Sequence, residues 1–289
     1  MAEESTEALY LCPSMDFVFH DLFANNLHWS YDLIHLVTGL EGKLILTESK
    51  LPGSDINDKS GVADLVFEMW THENLTKRIA LVSLDMQNEN DLGDFLGHRF
   101  DRYSSLLSLR QLGKGDDYEE IIPAIVIVVL NCIWIDDTEE YCHHYVMRTK
   151  KGHILSDSRQ VYMLEAPKVK KYFDGSRLAI WLSTLAAHKR EEFLDLGRRF
   201  PMMQDLVSEL ERMNADSSYR MNISRYLAES DRKTASRLAE EKGKAEGKME
   251  TLISNIYGFF EAGFDIVQIA RGLKVSVSEV EAILAKKGK

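Results

Sequence analysis

Residues 61–87, GVADLVFEMWTHENLTKRIALVSLDMQ, hold two alternating runs on either side of a polar segment. In 61–70, Ala63, Leu65, Phe67 and Met69 fall on one side and Asp64, Val66 and Glu68 on the other. In 78–87, Ala80, Val82, Leu84 and Met86 oppose Leu81, Ser83, Asp85 and Gln87. Successive side chains of a strand point to opposite faces, and Thr71, His72, Glu73 and Asn74 between the runs are turn-like, so the pattern predicts a β-hairpin. Paired positions in an antiparallel hairpin have a constant sum. A turn centred near Glu73 to Leu75 puts that sum at 147 to 149, and Asp64 with Asp85 gives 149. The two aspartates are therefore expected opposite each other or nearly so. Gln87 is expected on the same face as Asp85, with the apolar face of both strands in the core.

Two carboxylates side by side repel unless a cation sits between them. Hard divalent cations accept oxygen ligands from one or two carboxylates and keep water in their other positions, and such water attacks phosphodiesters more readily. On spacing alone two readings stand: a metal-binding pair, or two strand aspartates that simply face solvent.

Outward from the hairpin, residues 16–38 have apolar positions at helical spacing and predict two helices broken at Asn25-Asn26. Residues 44–51 read as a strand and 52–60 as a loop. A helix over 92–112 carries Phe95, Arg99, Tyr103 and Leu106 in register, and strands are expected near 121–132, 141–148 and 159–165. The run IIPAIVIVV at 121–129 is β-branched enough for a strand buried on both faces. Residues 176–230 read as mostly helical. These elements define a domain over 1–230, a charged helical connector over 231–250 with Gly243 and Gly247, and a small helical unit over 251–289, in which Ser276 and Glu279 form a capping box.

Of the 289 residues 45% are apolar and 28% charged, which fits a soluble globular protein. The net charge is −13 over residues 1–230 and +2 over 231–289. The acidic body argues against broad, non-specific phosphate binding, while a site built on Mg²⁺ wants carboxylates. Three cysteines, Cys12, Cys132 and Cys142, with no CxxC, point to a reducing compartment, the cytoplasm. The acidic start MAEESTEALYL does not read as a signal peptide, and the apolar stretch 121–135 is too short to span a bilayer, so no membrane association is expected. Phosphate-binding glycine loops and a G-x-S-x-G elbow do not occur.

Several segments, in order, carry a family resemblance: DFVFHDLF at 16–23, LPG at 51–53, the GVADL…LDMQ hairpin, RFDRY at 99–103, QLGKGDDYEEIIPAIVIVVL at 111–130, the charged connector and FEAGFDIVQIARGLKVSVSEVEAIL at 260–284. In these the chain resembles the PD-(D/E)XK nuclease family transposases, also called recombination-promoting nucleases (the Rpn family). The resemblance implies an α/β, restriction-endonuclease-like core: a central mixed sheet flanked by helices, here with a small all-α C-terminal unit. It also implies a metal-dependent DNA endonuclease, a hydrolase of phosphodiester bonds linked to recombination or DNA mobility, working with Mg²⁺ or Mn²⁺. By position Asp64 and Asp85 would be catalytic and hold the metal. Gln87 would orient the attacking water or the scissile phosphate, standing where the wider superfamily usually has Lys. Arg99 and Tyr103, four apart on one helix face, are candidates for phosphate contact or the active-site wall, against the plainer reading of an arginine lying beside a packed tyrosine. Relatives often carry lysines in the first helix where this chain has His20 and Asp21, and Asp16 is either a further acidic ligand or a helix cap. The alternative to an enzyme is a nuclease-fold protein that no longer cuts and serves as an interaction or regulatory module.

Basic groups at Arg148, Lys150 and Lys151, at Lys168, Lys170 and Lys171, at Lys189 and Arg190, and at Arg198 and Arg199 are either local DNA tracks or solvated faces. Cys142, His143 and His144 have no zinc-site spacing. The C-terminal unit has the outline of a helix-turn-helix, but its second helix offers Glu279 and Glu281, so homodimerisation is expected of it rather than sequence reading.

Overall fold

The computed structural model describes residues 10–49, 65–71, 75–88, 95–111 and 117–285. Two compact units divide the chain, Met1–Ile223 and Ser224–Lys289. The first opens with α1 (Asp16–Asn25) and α2 (Leu27–Thr38). They break where expected: Asn26 leaves helical geometry, and its side-chain amide donates to the Leu22 carbonyl at 2.9 Å.

The sheet orders six strands as β1-β2-β3-β4-β6-β5, from β1 (Lys43–Ser49), β2 (Leu65–Trp70), β3 (Arg78–Gln87), β4 (Ala124–Leu130), β5 (Cys142–Arg148) and β6 (Ile154–Glu165). β3–β4 and β4–β6 are parallel and the other pairs antiparallel, so the sheet is mixed. β2 and β3 form the hairpin, with Leu65 opposite Leu84 and Met69 opposite Ala80, the register of sum 149. Asp64 lies outside the described residues.

A parallel neighbour needs a crossover, and α3 (Phe95–Leu109) supplies it between β3 and β4. Its Leu96, Phe100, Tyr103 and Leu107 pack on Ala124, Val126, Val128 and Leu130 of β4, with Val66 of β2 and Met163 of β6. Every residue of β4 is buried, so this strand is covered on both faces. On the other face α1 lies against β1 and β3, α2 against β1 and α4 (Arg177–Leu185), and Phe23 meets Trp181 at 5.7 Å between ring centroids.

The packing of α3 rules out a solvent-facing Asp85. The hairpin face bearing Asp85 and Gln87 is not open to solvent: Val66, Leu81, Ser83, Asp85 and Gln87 are all buried. A second layer of helix turns an apparently one-sided hairpin into the middle of a two-sided sheet.

The unit closes with α5 (Arg190–Arg199), α6 (Gln204–Ala215) and the start of α7 (Ser217–Glu261). α7 runs unbroken through Gly243 and Gly247, although each glycine costs about 1 kcal/mol relative to alanine in a helix. In the second unit the end of α7 packs with α8 (Ile266–Leu273) and α9 (Val277–Leu284) around buried Ile256, Ile269, Ala270 and Val280. Ser276 caps α9 by accepting from the Glu279 amide at 3.2 Å, and the Glu279 carboxylate accepts back from the Ser276 amide at 2.9 Å. No helix of the described residues is long and apolar enough to cross a membrane.

Candidate active site

Alternation along β3 puts Leu81, Ser83, Asp85 and Gln87 on the face that α3 covers. The chain leaves the C-terminal end of β3 and enters α3 eight residues later, so the second turn of α3 returns over the strand end it came from. Arg99 sits in that turn. Its Nη1 donates to Gln87 Oε1 at 2.6 Å, and its Nε donates to the Tyr103 hydroxyl at 2.8 Å. Its Nη2 stands 3.9 Å from Asp85 Oδ2, and the guanidinium lies 5.4 Å from the Tyr103 ring centroid. The Asp85 side chain is 2% exposed and that of Arg99 38%, so the arginine links a buried carboxylate to the surface. Four of the five site residues predicted from sequence are described, and these four come together: Asp85, Gln87, Arg99 and Tyr103.

Ser83, between Asp85 and the hairpin, has a buried hydroxyl with no hydrogen-bond partner among the described residues. Asn88 directly follows the motif. Its amide nitrogen donates to the Ser14 carbonyl and, at 2.9 Å, to Asp16 Oδ1, while its Oδ1 accepts from Asn131 Nδ2 at 3.2 Å. Asp16 is the first residue of α1 rather than its cap, which is Met15. The acidic residue that opens the first motif is thus tied to the end of β3. Sequence reasoning passed over Asn88, whose only signal was adjacency to Gln87.

A second polar cluster was also missed. The rows Gln87↔Leu130 and Leu130↔Glu165 place Glu165 two strands from Gln87, at the same level of the sheet. Glu165 is fully buried. One oxygen accepts from the amides of Trp134 and Ile135, the other from His143 Nε2 at 3.1 Å and from the Lys168 ammonium. Burial pushes its carboxyl up, but Lys168, the two amides and His143 outweigh that and hold it below the usual carboxylate range. Lys168, at 2% exposure, also donates to the Glu140 carbonyl at 2.8 Å, so it cannot belong to a surface DNA track. Of the other basic candidates, Arg190 pairs with Glu211, and Arg198 and Arg199 pair with Asp195. His144 stacks on Tyr162 at 4.1 Å, on the face opposite His143.

The donor chemistry fits a hard divalent cation. Asp85 puts a buried carboxylate on this strand face, and carboxylate oxygens suit Mg²⁺ or Mn²⁺. Among the described residues no three His, Cys, Asp or Glu side chains are grouped to hold a metal by themselves.

A mixed sheet with a βαβ crossover, and a carboxylate–amide pair at the C-terminal end of its parallel strand, define a protein of the nuclease-like α/β class. Residues 13–239 match the PD-(D/E)XK nuclease family transposases, and the chain belongs to this family. Searches of curated proteins and of solved structures gave no significant match.

Proposed function

We propose that this protein is a metal-dependent DNA endonuclease linked to recombination or DNA mobility, as in the Rpn family. The observation that carries the reading is Asp85, buried at the C-terminal end of a parallel strand with Gln87 beside it, in a chain whose family is that of nucleases. The β2–β3 register, carried one step past Leu65 and Leu84, would set Asp64 opposite Asp85, and these two carboxylates would hold Mg²⁺ or Mn²⁺. Such a cation, when bound, supplies Lewis acidity to the phosphoryl group and makes the attacking water more acidic. Gln87 directs the scissile phosphate or the attacking water by way of the groups it holds, and Arg99 and Tyr103 form the wall the phosphate meets.

The C-terminal unit is proposed to bring two copies together. Phe259, Phe260, Phe264 and Val267 are exposed, with Phe259 and Phe264 edge to face at 5.5 Å, and a second copy would cover them. One active site per chain would then address each DNA strand.

Supercoiled plasmid incubated with the full chain tests the nuclease reading. Cleavage is expected with Mg²⁺ or Mn²⁺, none with EDTA, and none from Asp64→Ala. A wild type inert with every divalent metal would favour the second reading, a non-cutting interaction module. That reading draws on the −13 charge of residues 1–230 and on His20 and Asp21 in the first helix.

A further inference from the structure

Gln87 cannot carry the positive charge that lysine brings at this position in the wider superfamily, yet phosphodiester hydrolysis needs it. A water oxygen bonds to phosphorus while one P–O ester bond breaks. The water's proton passes to solvent, the leaving alkoxide takes one up, and negative charge builds on the phosphoryl oxygens in between. From the clamp on Arg99 we infer that Gln87 acts as a positioning residue and Arg99 as the catalytic cation. The strand keeps the superfamily's third position but delegates its charge to the helix that crosses over it. This inference rests on the nuclease reading above.

The geometry supplies each part of this arrangement. A glutamine oxygen holds a guanidinium without adding a second negative charge to that of Asp85. Gln87 Oε1 takes Nη1 at 2.6 Å, and the Tyr103 hydroxyl takes Nε at 2.8 Å. Two fixed acceptors on two elements set both the reach and the plane of the fork, and the Tyr103 ring backs it at 5.4 Å. Gln87 and Tyr103 are buried, at 5% and 9% exposure, so neither acceptor is free to swing away. Nη2 points along the face toward Asp85 at 3.9 Å, which puts the charge beside the carboxylate assigned to the metal. The Arg99 side chain is 38% exposed, so a phosphate can reach it from solvent. Charge held in place before the reaction stabilises the transition state without reorganisation.

Single-turnover cleavage by the full chain at saturating DNA, read beside the arginine side-chain N–H resonances of the metal-free protein, tests the assignment. Arg99→Ala is expected to cut about a hundredfold slower and to regain rate when Gln87→Lys is added. One exchange-protected Nε–H signal should vanish in Arg99→Ala and lose its protection in Tyr103→Phe, and a slowed Nη–H signal should be lost in Gln87→Ala. If Gln87→Ala melts early, Gln87→Leu keeps the volume and removes the acceptor. Wild-type cleavage by Arg99→Ala overturns the catalytic role while leaving the nuclease reading intact. An Arg99 Nη–H signal indifferent to loss of Gln87 overturns the clamp. A wild type that never cuts removes the nuclease reading and with it the role of Arg99.

Discussion

Glu165 and Lys168 are two charges taken out of water together, and each depends on the other. Removing one member of a buried pair strands the other. Glu165→Gln should therefore cost about 3–5 kcal/mol in urea unfolding at pH 7. The pH dependence follows from the lowered carboxyl. The unfolded glutamate titrates near about 4.3, so the contribution of Glu165 is complete above that value and is lost as pH falls through the lower folded value. The gap between variant and wild type should close in that acid window, and a gap that widened there would contradict the assignment. Glu165 and Lys168 are only three apart, but their burial was illegible in the sequence because His143 reaches Glu165 through the β5–β6 pairing and the Trp134 and Ile135 amides reach it from the loop after β4. Asp85 and Gln87 were legible because they share one strand. Arg99 and Tyr103 were legible as a pair through their i, i+4 spacing, but the Arg99–Gln87 contact awaited the crossover.

At the scale of elements, alternation was read well wherever one face of a strand was apolar. The β2–β3 register follows from the turn position and the period of two. β4 follows from its unbroken aliphatic run. β6 begins at Ile154, five residues before its expected start, because its first half pairs with β5 while its side chains stay partly exposed and carry no core pattern. Burial of the Asp85 face under α3 was only hinted at by Val66 and Leu81, two apolar residues on the side read as polar. The start of the sheet depends on a glycine. A Cβ on Gly42 would stand 2.2 Å from the Trp70 carbonyl oxygen, where β1 enters its pairing with β2. Gly42→Ala should cost about 1–3 kcal/mol, read as a lower thermal midpoint. An unchanged midpoint would mean that the strand end shifts freely.

The two units have separate cores, and each carries its own expectation for the whole molecule. Deleting residues 231–289 leaves the sheet and the helices α1–α6 intact, so the truncated chain should unfold cooperatively on heating. In light scattering at tens of micromolar, where weak association should register, the full chain should run as a dimer and the truncated chain as a monomer. Two monomers would remove the role given to Phe259, Phe260 and Phe264. The central claim, that the α3-covered face of β3 is the site of DNA cleavage, is tested most directly by Asp85→Ala. The measurement is the single-turnover cleavage rate with Mg²⁺ or Mn²⁺, taken alongside the melting curve. The account predicts a variant that melts at or above the wild-type temperature and cuts at least about a hundredfold slower, the scale expected when a stabiliser of transition-state charge is lost. A folded Asp85→Ala that cuts DNA at the wild-type rate would contradict it.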